Sequence, residues 1–474
     1  MTAPITILQR RADLVDPHDC TDAADDLAIL SAVAETLVRR VGQYFAPQLA
    51  ESWTLSADAC VWEFTLREGA VFQDGTPCDA AAVAQSLQRM AREDKGYTLG
   101  APAVWRQYLG AADIQMQGRQ LCIRLAEPMA DLLDVLVQGF ILSPDTLARM
   151  DAGDLAAMAG TGVYRVAGAS PGRVHLTAAA SGSAAPDLIF QAMPDAGARA
   201  DAVRVGVAQV ATNLPYGVDL GPRVTRVETL NPVAIIFLMN AARGPLTDSR
   251  LRRALDLALD RDALVQDVMG GGATPLYGFI SPVHFGAGRD PAPLPNLDLA
   301  KALMAEAGFA EGLMLGVSCP TRLPDEAVRL TAALAAQLAL IGVTLDVTYH
   351  EDREAYAHMV RRKEIRDLAV FDSSPLSTYR VLVEKLDARV KGSWWEGYHN
   401  PQLEALIDQG RACVDPAVRA AIYAQAYAVM QVDPAWLTLY NPVRVTGLAG
   451  QHPNFVLGTD AVLDVTQLPQ VTHG

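Results

Sequence analysis

Glu51-Ser-Trp-Thr-Leu-Ser56, Trp62-Glu-Phe-Thr-Leu-Arg-Glu-Gly69 and Val71-Phe-Gln-Asp-Gly-Thr-Pro77 follow closely on one another. Trp62, Phe64 and Leu66 alternate with Glu63, Thr65 and Arg67, the period of two expected of a half-buried strand. Ser56 to Ala59 is a turn, so Ser52 to Arg67 reads as a hairpin. Gln73 to Pro77 then punctuates, and Asp79 caps a helix whose inner face carries Val83, Leu87 and Met90. Working outward, Asp113 to Leu125 reads as a second hairpin turning at Gly118, and Gly160-Thr-Gly-Val-Tyr164 opens a further strand. Ala178 to Pro186 is a loop. Val233 to Asn240 is an apolar run fit for a strand buried on both faces. Ser249 to Met269 reads as one helix with Leu251, Leu255, Leu259 and Leu264 inside, closed by Gly270-Gly-Gly272. After a Pro-rich loop come helices over Leu297 to Ala307 and Asp325 to Ile341, and strands over Val343 to Val347 and Leu368 to Phe371. Strands and helices alternate without an internal repeat, which argues an α/β fold.

The 474 residues suggest several domains, and 50% hydrophobic with 20% charged residues excludes a disordered chain. Lys and Arg total 39 against 54 Asp and Glu, a net charge of −15 that repels phosphate backbones, so nucleic acid is excluded as the default partner. No apolar run approaches the roughly 20 residues that span a bilayer. The six cysteines are far apart with no C-x-x-C, which writes neither a zinc knuckle nor a disulfide framework. The sequence calls for no metal and no cofactor.

Taken together, the motifs from Glu51 to Pro77, Gly160 to Tyr164, Pro245-Leu-Thr-Asp-Ser-Arg-Leu-Arg-Arg-Ala-Leu255 and Gly397-Tyr-His-Asn-Pro-Gln-Leu-Glu-Ala-Leu-Ile407 resemble, in order and spacing, the family 5 extracellular solute-binding proteins. These are the large receptors of peptide, nickel and related ABC importers. The resemblance implies two α/β lobes joined by a hinge, as in periplasmic binding proteins, with an additional inserted domain. It would place the first lobe over 1–37, 160–240 and 440–474, the inserted domain over 38–159 and the second lobe over 241–439. Ligand binding in such a fold shifts a hinge equilibrium that a partner can read.

The resemblance also nominates ligand-binding residues. Arg322, in Cys319-Pro-Thr-Arg-Leu-Pro324, stands where peptide receptors place an arginine for the ligand carboxylate, a contact a guanidinium makes bidentately; pairing with Asp325 or Glu326 is the plainer alternative. Phe371-Asp-Ser-Ser-Pro-Leu-Ser-Thr-Tyr379 is a strand-to-helix turn with Ser374 as N-cap and Pro375 as first helical residue. Such turns face the cleft of two-lobed α/β proteins, which nominates Asp372, Ser374 and Tyr379. The peptide branch carries an Asp-Pro-Asp-like element there, and its absence argues against an ordinary oligopeptide. Trp105 resembles a cleft tryptophan of the nickel-chelate branch, but Pro102 and Phe140 stand near the places of that branch's arginines. Trp394, Trp395 and Tyr398 form the densest aromatic cluster of a chain with 6% aromatics and suit a pocket lining, or lobe packing. Arg380 offers a charge nearby, with an exposed helix arginine as the plainer reading. His18, in Asp16-Pro-His-Asp-Cys20, borders the cleft, with a polar loop as the alternative to a ligand.

No enzyme constellation survives its context. Gly168-Ala-Ser-Pro-Gly172 matches G-x-S-x-G, but Pro171 has no N–H and a strand, not a helix, follows. The expectation is therefore a catalytically inert receptor, a monomer that captures a small organic solute, peptide-like or with a carboxylate and an apolar part, and delivers it to ABC permease subunits. The rival is a cytoplasmic ligand sensor on the same fold. No tripartite signal peptide precedes Ile5, so the periplasmic assignment stands beside a cytoplasmic alternative.

Overall fold

Trp62, Phe64 and Leu66 are 3%, 0% and 3% exposed, whereas Glu63 faces solvent, so the period of two in the sequence is the pleat of a real strand. Burying each of these side chains contributes about 1.5–3 kcal/mol. The chain is seen here in a computed structural model that describes residues 3–19, 21–96, 104–288, 293–322, 324–373, 375–390 and 397–468. It divides into two compact units, one formed by residues 1–229 and 444–474, the other by residues 230–443.

In the first unit, strand Ile5–Gln9 lies parallel to Leu188–Ala192 (Ile5 opposite Leu188) and to Val210–Leu214 (Ile7 opposite Val210). Arg173–Ala178 and Tyr164–Ser170 extend the sheet antiparallel on one side, and the second half of strand Trp436–Ala449 closes the other side through Val210 opposite Leu448. Its core gathers Ile7, Leu30, Phe190 and Val210 with Leu463 and Val465 from the C-terminal segment. Residues 38–159 carry a separate four-stranded antiparallel sheet in the order Ala50–Leu55, Val61–Leu66, Gln120–Arg124, Asp113–Gln117. The carboxylate of Asp79 accepts from the N–H groups of Ala81 and Ala82, and helix Ala80–Met90 buries Val83, Leu87 and Met90.

Packing explains why the sequence motifs travel together. A Cβ at Gly160 would lie 2.4 Å from the Val33 carbonyl oxygen, and one at Gly162 would lie 2.4 Å from that of Ala32, so only glycine admits this approach. The Gln73 amide nitrogen reaches the carbonyls of Val33, Gly162 and Tyr164 at 2.9, 2.9 and 2.6 Å, and its oxygen accepts from Gly160 N–H. One glutamine thereby ties the Val71–Pro77 turn to the Gly160–Tyr164 strand entry.

In the second unit, strands Val343–His350, Leu313–Pro320 and Leu368–Ser373 run parallel, followed by antiparallel Ala234–Met239 and the first half of Trp436–Ala449. All six residues of Ala234–Met239 are buried, as the apolar run requires. Helices Ser249–Leu257, Arg261–Met269, Leu297–Glu306 and Ala327–Ala339 cover this sheet with Leu251, Leu255, Leu264, Ala300, Leu330 and Leu334.

Two local expectations need correction. Ser249 to Met269 is not one helix: it breaks at 258–260, where the Asp260 carboxylate caps a new helix by accepting from Ala263 N–H, and Asp256 pairs with Arg261 across the break at 2.5 Å. Gly270 then ends it in the left-handed conformation, at φ 58°. Pro375 does not begin a helix either. The cap falls at Ser377, whose hydroxyl accepts from Arg380 N–H at the start of helix Thr378–Val381. Among the described residues no helix is long and apolar enough to cross a membrane.

Candidate functional site

Parallel strands end on the same edge of their sheet, and that edge is where α/β proteins place their ligands. In the second unit it is formed by the ends of Leu313–Pro320, Val343–His350 and Leu368–Ser373, held in register by Pro320 opposite His350 and Val317 opposite Leu368. Arg322 lies two residues past the first of these ends, anchored by the Thr321 N–H to His350 carbonyl bond of 2.9 Å. It is exposed and makes no ion pair with any described residue, so the alternative pairing with Asp325 or Glu326 does not occupy it. Asp372 and Ser373 close the third strand. Asp372 is half-buried, and Ser373 is 3% exposed with a hydroxyl that has no hydrogen-bond partner among the described residues. A buried hydroxyl left so costs stability unless something donates to it or accepts from it.

Tyr379 is buried on the short helix that follows, and Arg380 beside it is not an exposed helix arginine: it is 2% exposed and donates through Nε to Glu384 at 2.7 Å, one turn on. Ser374, Trp394 and Trp395 lie outside the described residues. Tyr398 sits at the other end of the sheet: Gly397 packs against Ala242, just past the end of strand Ala234–Met239, which is the end where Met239 pairs with Leu368. Its hydroxyl donates to the Asp433 carbonyl at 3.0 Å, its ring carries Arg252 at 5.6 Å, and burial pushes its phenol above the ordinary range. The structure thus brings Arg322 and Asp372 to one edge and leaves Tyr398 a strand length away.

In the first unit the structure brings His18 and Trp105 together around Gly96, whose N–H donates to the His18 carbonyl while its own carbonyl accepts from Val104 N–H. Both side chains are 0% exposed. Arg89 can only donate to His18 Nδ1, at 2.8 Å, so the ring proton sits on Nε2 and is given to the Phe140 carbonyl at 2.9 Å. Burial, reinforced by the Arg89 charge, holds the imidazole down at about 4 and therefore neutral. Arg89 also grips Asp16 through two bonds of 2.9 and 2.6 Å and Asp151 at 3.0 Å, and Lys95 reaches Asp16 at 2.9 Å. Burial alone would raise the Asp16 carboxyl; the bonds from Arg89 and Lys95 outweigh it and hold the group well below the usual carboxylate range.

One concavity of this unit escaped the sequence reading. A small concavity, partly open to solvent, lies where strands Ile5–Gln9 and Val210–Leu214 end. Thr212, Asn213, Thr229, Arg444 and Thr446 line it beside Asp25, with Leu457 and Leu463 as its apolar wall. Its residues come from five distant stretches of chain, and no local motif marks them.

The family model for bacterial extracellular solute-binding proteins, family 5 Middle, matches residues 45–380. The chain is 24% identical over 468 residues to the glutathione-binding protein GsiB of Escherichia coli strain K12, covering 94% of this chain and 89% of that one. It is similar in fold to HbpA2 from Haemophilus parasuis, with TM-score 0.80, 21% identity and coverage of 97% and 98% of the two chains. It is likewise similar to AgaA of A. tumefaciens R10 in complex with agropinic acid, with TM-score 0.77, 20% identity and coverage of 94% and 93%. With most of its length matched by that family model, the chain belongs to the bacterial extracellular solute-binding proteins of family 5.

Proposed function

We propose that this solute-binding receptor of an ABC importer captures a small organic solute with at least one carboxylate, and that Arg322 takes that carboxylate. The observation that carries the reading is the strand edge of the second unit, where Arg322 is exposed without an ion pair among the described residues and Ser373 keeps a buried hydroxyl without a partner. Asp372 is the one carboxylate in the turn from Phe371 to Tyr379. The relatives support an acidic solute, since glutathione and agropinic acid both carry carboxyl groups. An Asp-Pro-Asp-like element is missing between Phe371 and Tyr379, which sets the site apart from receptors of ordinary oligopeptides. The reading places the protein outside the cytoplasmic membrane, as a monomer that hands its cargo to permease subunits.

Mass spectrometry of solute co-purified under native conditions, followed by its titration against the parent and Arg322→Ala, tests this. A carboxylate-bearing solute that binds the variant tenfold or more weakly, about 1.4 kcal/mol, is expected. A solute without an acidic group, or unchanged affinity, would overturn it.

A further inference from the structure

Beside Arg322 the strand edge of the second unit carries a histidine that none of the family motifs marks. His350 ends strand Val343–His350 opposite Pro320, and its carbonyl accepts the Thr321 N–H at 2.9 Å, so the loop that bears Arg322 is tied to it. Its ring packs on Tyr356, with centroids 5.3 Å apart, and Tyr356 lies 6.4 Å from Phe371 in turn. Tyr356 is itself fixed: it is 3% exposed, and its hydroxyl stands 3.1 Å from the Ser318 carbonyl and 2.6 Å from that of Val370. An aromatic row thus backs the ends of the three parallel strands, on the sheet face opposite the core residues Val317 and Val370.

The two ring nitrogens of His350 differ in their surroundings. Nε2 is buried with no hydrogen-bond partner among the described residues, whereas Nδ1, equally unbonded there, reaches solvent from a half-buried side chain. The neighbouring carboxylates are spent elsewhere. Asp352 caps helix Arg353–Arg361 by accepting from Ala355 N–H at 3.0 Å, and Asp346 pairs with Arg366 at 2.6 Å. Burial holds the imidazole below its ordinary 6.5, so at pH 7 the ring is neutral and carries one proton. On Nε2 that proton would be a buried donor with nothing to accept it, the rarer and costlier defect. On Nδ1 it meets solvent and leaves Nε2 a bare acceptor.

We propose that His350 is a specificity-determining residue of the Arg322 site, a neutral donor that gives its Nδ1–H to an acceptor oxygen of the solute. Arg322 supplies charge, and the imidazole supplies direction without adding a second charge. A carboxylate offers about four lone-pair sites, so one group can accept from both side chains, while an ammonium group, which only donates, is refused by Nδ1–H. The inference rests on the reading of Arg322 as the carboxylate-binding residue and adds a second contact to it.

Nitrogen-15 NMR of the full chain tests it, with acetate as the probe and chloride at equal ionic strength as the control. At pH 7 the His350 signals, assigned by their loss in His350→Asn, should show the Nδ1–H tautomer and shift saturably with acetate but not with chloride. Acetate affinity read at the Arg322 side-chain signal should fall about fivefold or more in His350→Gln, whose amide reaches the Nε2 position, and stay within about twofold of the parent in His350→Asn, whose amide stands at the Nδ1 position. The two variants differ by one methylene, so a difference between them reports where the donor stands and not a disturbed fold. An Nε2–H tautomer or an imidazolium at pH 7, or a His350→Gln protein that binds acetate as the parent does, overturns the assignment. If acetate moves the Arg322 signal and not that of His350, this inference falls and the receptor reading stands; if it moves His350 and not Arg322, His350 stands as the donor and the carboxylate role of Arg322 falls; if it moves neither, both fall.

Discussion

The chain handles charge in two opposite ways. Around Asp16, His18 and Arg89 every donor meets an acceptor: two bonds join Arg89 to Asp16, a third reaches Asp151, the imidazole is fixed between Arg89 and Phe140, and Lys95 completes the set. At the strand edge of the second unit, Arg322 has no ion pair among the described residues and the Ser373 hydroxyl has no partner there. The first arrangement holds structure together and has nothing left to offer a ligand. The second leaves capacity unused, which is what a binding surface must do before its ligand arrives.

The sharpest way to break this contrast is Arg89→Met. It removes both guanidinium bonds from the buried Asp16 carboxylate and leaves it Lys95 and the His18 N–H, so a loss of about 2–4 kcal/mol in urea unfolding is expected. A loss under 1 kcal/mol would mean that the cluster is not structural. The pH dependence gives the next largest effect. His18 is held at about 4 in the folded chain against an ordinary 6.5, so the unfolded chain binds the extra proton first. The stability from the neutral ring is complete above 6.5 and is lost as pH falls toward 4, on the order of 3 kcal/mol. Unfolding measured from pH 7 to 4 should show that slope, and His18→Gln should flatten it.

On the other side of the comparison the effects belong to binding rather than folding. Arg322→Ala should weaken a carboxylate solute by about 1.5–3 kcal/mol while changing unfolding free energy by no more than about 0.5 kcal/mol. A destabilised Arg322→Ala would place this arginine with the structural charges after all. Ser373→Ala has the smallest expected effect: no loss of stability, because a hydroxyl without a partner is removed, and a few-fold weaker binding if the solute uses that oxygen, about 0.5–1.5 kcal/mol. Calorimetric titration and thermal melts of the same two preparations resolve both quantities.

Much of the fold was legible because its signals are local. The alternation from Trp62 to Leu66, the Asp79 cap and the apolar run before Asn240 each declare an element through neighbours in sequence, and the ordered motifs identified the family. The break at Asp260 was not legible, since Leu259 and Leu264 keep helical spacing across it and only the Asp256–Arg261 pair, with the cap to Ala263, ends one helix and starts the next. The candidate site was readable in type more than in state. Arg322 and His18 are both polar loop residues, yet one is exposed and unpaired among the described residues and the other wholly buried against Phe140. Thr212 and Arg444, which line the concavity of the first unit, gave no signal, because they are separated by more than two hundred residues.

The division of the chain has a consequence for the order in which it is made. Residues 230–443 form one continuous unit, whereas the unit built on residues 1–229 lacks part of itself until 444–474 appear. Those last residues include Leu448, the partner of Val210 in the sheet, and Leu463 and Val465 of the core around Ile7 and Leu30. Since domains fold as units during synthesis, the half that is translated first is completed last. The nascent amino-terminal half therefore waits, with an unpaired strand edge and part of its core uncovered, through the translation of an entire second unit, and it is during that interval that a holding chaperone would have most to protect.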